Sequence, residues 1–190
     1  MNQKFRVTTK TLVLTALFAA LTVVGSSLRI TLPITLGTDN ASFHLGNILC
    51  ALSGILLGPG FGALAAGLGS AIYDMLNPLY ISEAWITFLM KGMYGLCAGL
   101  VIRCGASRWG YFRAVLAAVT GALAYAALYL AKSYFYSGLL LRGLTPEAAM
   151  LNVYAKLPAT AFNALVAIIF APVLAVSIRT ALEKSRLSIQ

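Results

Sequence analysis

Long apolar runs separated by short polar stretches fill this chain. Six runs separate out, at about Thr11–Ile30, Phe43–Leu57, Phe61–Leu76, Trp85–Ile102, Phe112–Tyr136 and Leu151–Arg179. A membrane-spanning helix needs about 20 mainly apolar residues, and four of the runs are that long or nearly so. The second and third are shorter. They are either full crossings or the two arms of a re-entrant hairpin around Gly58-Pro59-Gly60. The sixth contains Pro158 and Pro172 and is expected to kink or break near one of them. The pattern predicts an all-α integral membrane protein: six transmembrane helices forming a single membrane domain over residues 1–190.

Small residues pave the segment from Leu56 to Asp74, where Gly58, Gly60, Gly62, Ala63, Ala65, Ala66, Gly67, Gly69, Ser70 and Ala71 crowd together. Small side chains at helical spacing let membrane helices approach backbone to backbone. On the first run, Ala16 and Ala20 form another small pair beside Ala19. It serves either internal packing or a flat docking face for another membrane helix.

Composition supports the membrane assignment. The chain is 60% hydrophobic and only 10% charged, whereas a soluble domain carries about 25% charged residues. The basic start is followed by an apolar run too long for a signal-peptide core, so that run is taken as the first span. Cys50, Cys97 and Cys104 show no metal-ligand spacing and fit small buried hydrophobes.

The net charge of +9 is unevenly spread. Lys4, Arg6, Lys10, Arg103, Arg108, Arg113, Arg179, Lys184 and Arg186 all fall on one side of the predicted topology, with Glu183 as the acid among them. The positive-inside rule puts that side, and both termini, in the cytoplasm. The excess charge is therefore a topology signal, and no nucleic-acid partner is expected. Asp39, Asp74, Glu83 and Glu147 fall at or near the other side. The connections Thr31–Ser42, Asn77–Ala84 and Gly138–Met150 on that side are the richer ones and suit loops over a site.

Polar groups inside apolar helices are functional candidates because lipid cannot solvate them. Asn152, Lys156 and Asn163 stand at i, i+4 and i+11, about 20–40° apart on an α-helix. They form one interior stripe, either a row of ligand donors or hydrogen-bonding glue between helices. Lys91 lies in the fourth run with Thr87 and Tyr94 at helical spacing. It snorkels, pairs structurally with Asp74, or meets a ligand. Tyr125 and Tyr129 are candidates for stacking on a ligand. His44 and Asn47 share a face but have no metal-ligand company, and Trp85 beside Glu83 reads as an interface tryptophan.

No P-loop, serine-hydrolase elbow or paired acidic metal motif occurs, so no cofactor is expected and no enzymatic role. The competing classes are a stand-alone secondary carrier of a small organic solute, with Asp74 or Glu83 as a proton site, and a small membrane-embedded enzyme.

The block Phe43-His44-Leu45-Gly46-Asn47, followed by Leu56-Leu57-Gly58-Pro59, Gly62-Ala63, Asp74 and then Phe88-Leu89-Met90-Lys91-Gly92, resembles the S-components of energy-coupling factor (ECF) vitamin transporters of prokaryotes. It is most similar to the hydroxymethylpyrimidine, pyridoxine and riboflavin-type subgroup. Ala16-x-x-x-Ala20 is similar to that family's alanine motif, which contacts the coupling subunit. The resemblance implies a subunit of the cell membrane that binds a vitamin or vitamin precursor under outward loops. It further implies association with a coupling transmembrane subunit and two ATPase subunits, and toppling in the lipid bilayer to release the ligand inside. The residues favoured for the ligand are Lys91, Tyr125, Asn152, Lys156 and Asn163, with Ala16 and Ala20 for docking.

Overall fold

Threonine caps open both the first and the last helix. Thr8 and Thr11 bond reciprocally through side chain and backbone, with Thr8 N donating to Thr11 Oγ1 at 3.0 Å and Thr11 N to Thr8 Oγ1 at 3.2 Å. Thr145 caps the sixth helix just ahead of Pro146, whose missing N–H costs nothing in a first turn. The computed structural model describes residues 7–31, 42–78, 80–104 and 109–185. Among these, six α-helices follow one another: α1 (Thr9–Ser27), α2 (Gly46–Leu57), α3 (Pro59–Met75), α4 (Ala84–Arg103), α5 (Tyr111–Lys132) and α6 (Pro146–Lys184). A 3₁₀ turn at Ile81–Glu83 leads into α4, and α5 continues as a π-helix over Ser133–Leu141.

This is an all-α membrane protein. Four helical stretches, Thr9–Ser27, Ile81–Arg103, Tyr111–Leu141 and Pro146–Lys184, are long and apolar enough to cross a bilayer. With 12 residues, α2 reaches only about 18 Å at 1.5 Å per residue, well short of a hydrocarbon core of about 30 Å.

Several boundaries depart from the hydrophobic runs. Residues Arg29–Thr31 (β1) and Ser42–His44 (β2) pair antiparallel, Ile30 opposite Phe43. The pairing ends α1 at Ser27 and delays α2 to Gly46, where an apolar run had suggested helix to Ile30 and from Phe43. The expected break in the sixth helix is absent: α6 continues through both Pro158 and Pro172 for 39 residues. Proline is tolerated in such a setting because neighbouring groups re-satisfy the freed carbonyl.

Size is distributed inside-out. The interior is lined by Ala114, Ala117 and Ala118 of α5 and by Ala167, Ala171 and Ala175 of α6, all fully buried. Large apolar side chains such as Leu123, Leu165, Phe170 and Val13 point outward. Lipid is as apolar as leucine, so no hydrophobic force drives these helices together and close van der Waals packing must do it.

The tightest packing lies where α2, α3 and α4 cross. A Cβ placed on Gly54 would meet Gly95 O at 2.5 Å, one on Gly62 would meet Gly54 Cα at 2.6 Å, and one on Gly95 would meet Gly62 O at 2.5 Å. Three glycines thus interlock three backbones. Gly58, which links α2 to α3, has φ +80, a conformation that L side chains rarely adopt. Pro59 then starts α3 at its first position, where proline is favoured.

Successive helices alternate in direction. The α2–α3 turn, the end of α4, the start of α5 and the end of α6 therefore share one pole. Arg103 lies over Gly58 there. Arg179 donates to Trp109 O at 2.7 Å and stacks 4.7 Å over its ring. Lys10 and Lys184 are exposed. Lys4, Arg6, Arg108 and Arg186 lie outside the described residues, as does Asp39.

Candidate functional site

The opposite pole is hollow. A cavity of about 520 Å³ opens where the C-terminal ends of α1, α3 and α5 meet the N-terminal parts of α2, α4 and α6. It is lined almost entirely by polar and aromatic side chains, in contrast to the alanine interior below it.

The floor is built by α2, α4 and α5. Lys91, which is 4% exposed, donates from Nζ to Asn47 Oδ1. The same ammonium lies 3.9 Å from the centre of the Tyr125 ring. Tyr125 is the middle rung of a stacked ladder, 5.8 Å from Tyr94 below and 5.7 Å from Tyr129 above. The ladder exists because Tyr125 and Tyr129 are four residues apart on α5, and because Gly121 leaves room for the Tyr94 ring. A cation on an aromatic face is stabilised by the ring quadrupole, more strongly when both are desolvated.

The α6 wall carries the polar stripe. Lys156, 8% exposed, reaches Ser133 Oγ at 3.5 Å and lies 5.7 Å from the Tyr129 ring centre. Asn163 accepts from the backbone N–H of His44 at 3.1 Å, and Phe43 packs on Phe162 with ring centres 4.2 Å apart. These two contacts fasten β2 to α6. The mouth is closed on one side by Glu83, which pairs with Lys132 and accepts from Ser137 Oγ at 3.2 Å. Trp85, largely exposed, meets Tyr136 edge-on at 6.1 Å.

Four of the five ligand candidates from the sequence, Lys91, Tyr125, Lys156 and Asn163, line this one cavity. Asn152 shares their helix face, one turn before Lys156, but lies outside the lining. Its Nδ2 is buried without a hydrogen-bond partner among the described residues. Asp74 lines the same cavity as Lys91. Ala16 and Ala20 face outward from α1 among exposed Leu12, Val13, Leu17 and Val24, whereas Ala19 turns inward against Gly69 of α3.

The sequence pattern did not single out Ser133 and Ser137. They stand on the π-helix, a form that recurs at functional sites, and both are buried. Their four-residue spacing was the available signal. The sequence pattern places Asn47 on a face with His44, and the structure makes it the acceptor for Lys91. Among the described residues, no group of three His, Cys, Asp or Glu side chains is placed to hold a metal.

A membrane-embedded helical bundle with a polar, tyrosine-lined hollow at a pole has room for a small solute. The sequence matches the family described as ECF-type riboflavin transporter, S component, over residues 6–180. The chain belongs to this family. It is thus a substrate-specific transporter subunit of the vitamin type, not an enzyme. It is also similar to an uncharacterized protein in the gap 3'region of Pyrococcus woesei, with 32% identity over 119 residues, which cover 63% of this chain and 74% of the relative.

Proposed function

We propose that the protein captures a water-soluble vitamin or vitamin precursor with high affinity and is the substrate-binding subunit of an ATP-driven ECF importer. In this reading the single domain lies in a prokaryotic plasma membrane with six helices and both termini in the cytoplasm, the short α2 turning back into α3 at Gly58. The basic pole, with Arg103, Arg113, Arg179 and Lys184, supports that orientation, because positive loops stay inside. The cavity then opens outward. Lys91, Tyr125, Lys156 and Asn163 contact the ligand, and Asn152 supports them from the next turn. The outward face around Ala16 and Ala20 docks the coupling transmembrane subunit, which brings two ATPase subunits, so ATP is consumed by partners.

One observation carries this reading. Two buried lysines stand beside half-buried Tyr125 and Tyr129 around a hollow of about 520 Å³, a costly arrangement that packing alone does not require. The test is mass spectrometry of small molecules released from the purified protein, followed by titration. A stoichiometric vitamin or precursor with submicromolar affinity is expected. A protein that stays empty and binds no member of a vitamin panel overturns the proposal.

A further inference from the structure

The face that α5 and the π-helix turn toward the cavity changes its spacing at Lys132. Below that point the lining residues are Tyr125, Tyr129 and Lys132, steps of four and three that keep to one side of an α-helix. Above it they are Lys132, Ser137 and Arg142, each five residues after the last. On an α-helix a step of five carries a side chain about 140° past a full turn, so these three would point to three different sides. The π-helix over Ser133–Leu141 removes the mismatch. Its i→i+5 hydrogen bonds bring residues five apart nearly above one another, and the rim of the cavity takes its shape from that wide turn.

Two neighbours hold this segment. From α6, Lys156 reaches Ser133 Oγ at 3.5 Å, and Ala149 packs so closely that a Cβ on Gly138 would meet its Cβ at 2.9 Å. Between these contacts, on the same face of α6, Asn152 Nδ2 is buried with no hydrogen-bond partner among the described residues. An orphaned donor costs free energy, so packing against α6 alone leaves this wall under-satisfied. The second neighbour is Glu83. One carboxylate oxygen takes Lys132 and the other accepts from Ser137 Oγ at 3.2 Å. Because those partners are five residues apart, one carboxylate reaches both only where the helix has its wide turn. Hydrogen bonds to an ionised group are the stronger kind, and the Lys132 and Glu83 side chains are only 10% and 22% exposed.

We propose that Glu83 is a positioning residue that holds Ser133–Leu141 in the π form, and that releasing its carboxylate lets the segment tighten into an ordinary α-helix. Tightening turns Ser137 and Arg142 off the cavity face and takes the rim apart. The inference concerns the shape of the hollow and stands whatever solute the hollow takes.

Spin-label distances test it on the full-length protein in nanodiscs. Labels are placed at Leu89→Cys on α4 and Leu140→Cys on the π-helix, both exposed and outside the cavity lining. Cys97 and Cys104 are changed to alanine, and Cys50 is fully buried. With native Glu83 one distance is expected. Glu83→Ala should add a second, displaced by about 5 Å or more, since a helix with its side chains is about 10–12 Å across. Deleting Phe135, which is exposed, sets Lys132 and Ser137 four apart, about 40° on an α-helix. In that background Glu83→Ala should no longer add a distance. Amide hydrogen exchange gives a reading that needs no deletion. At residues 133–141, Glu83→Ala should quicken it by about five-fold, as for loss of one partly exposed ion pair. A single unshifted distance in Glu83→Ala, or unchanged exchange, overturns the inference. A second distance that persists after Phe135 is deleted means ordinary loosening of the mouth and overturns it as well. Neither result touches the vitamin-binding reading.

Discussion

The seam where α2, α3 and α4 cross and the wall formed by α5, the π-helix and α6 solve the same packing problem in opposite ways. At the seam, glycine removes side chains and backbones touch, as at Gly54, Gly62 and Gly95. At the wall, Tyr125, Tyr129, Lys156 and Ser137 line a hollow. Dispersion energy depends on close contact, so cohesion resides in the seam, and the proposed recognition falls to the wall. A membrane bundle cannot lean on the hydrophobic effect to hold a cavity open. One half has to be dense for the other to be hollow.

The comparison breaks most severely at the seam. Gly95→Leu drives a side chain into the carbonyl of Gly62 and should cost at least about 3 kcal/mol, the upper end of ordinary overpacking. Thermal unfolding followed by size exclusion should show loss of the monodisperse species. A variant that melts like the wild type would mean that the seam is not where stability resides.

The wall should behave in reverse. Lys156→Met should weaken ligand binding by about 1–3 kcal/mol, the loss expected for a buried charged hydrogen-bond partner. The melting temperature should change little, since Lys156 stands at the wall and not in the glycine seam. Calorimetry and melting on the same sample separate the two effects, and a parallel fall in both would erase the distinction. At the mouth, Glu83→Gln loses the pairing with Lys132. About 1 kcal/mol is at stake for a partly exposed pair. Ligand dissociation in stopped flow should quicken by about five-fold, with a smaller change in association.

The gentlest change for the chain itself is on the outer face of α1. Ala16→Trp with Ala20→Trp touches neither seam nor wall, so binding and melting should match the wild type. Uptake in vesicles reconstituted with the coupling subunit and ATPases should be abolished. Undiminished uptake would remove these alanines from the docking face.

Much of this division can be read along the chain, and where it cannot the reasons are physical. Helices α1 and α3–α6 follow from apolar runs, because lipid selects composition over length. Asn152, Lys156 and Asn163 stand out because helical periodicity is local. The pairing of β1 with β2 leaves no such trace: three residues on each side carry too little alternation to outweigh the flanking apolar runs. The π-helix is equally silent, since its wider turn does not change which residues are apolar. Lys91 with Asn47, and Glu83 with Lys132, join residues 44 and 49 positions apart. Such partners are set by how helices cross, which no single helix records.

One unbroken helix connects the two poles. From Asn163, which faces the cavity, to Arg179, bound at Trp109, α6 advances about 24 Å at 1.5 Å per residue. Helix α6 therefore ties the indole of Trp109 at one pole to the cavity at the other. A tilt of about 10° about the Arg179 end would carry Asn163 sideways by about 4 Å, more than the length of a hydrogen bond. Because Asn163 also holds the backbone of His44, the same swing either drags β2 along or lets go of it. A small tilt at the basic pole would thus become a larger displacement at the hollow one, along a helix that runs on through Pro172.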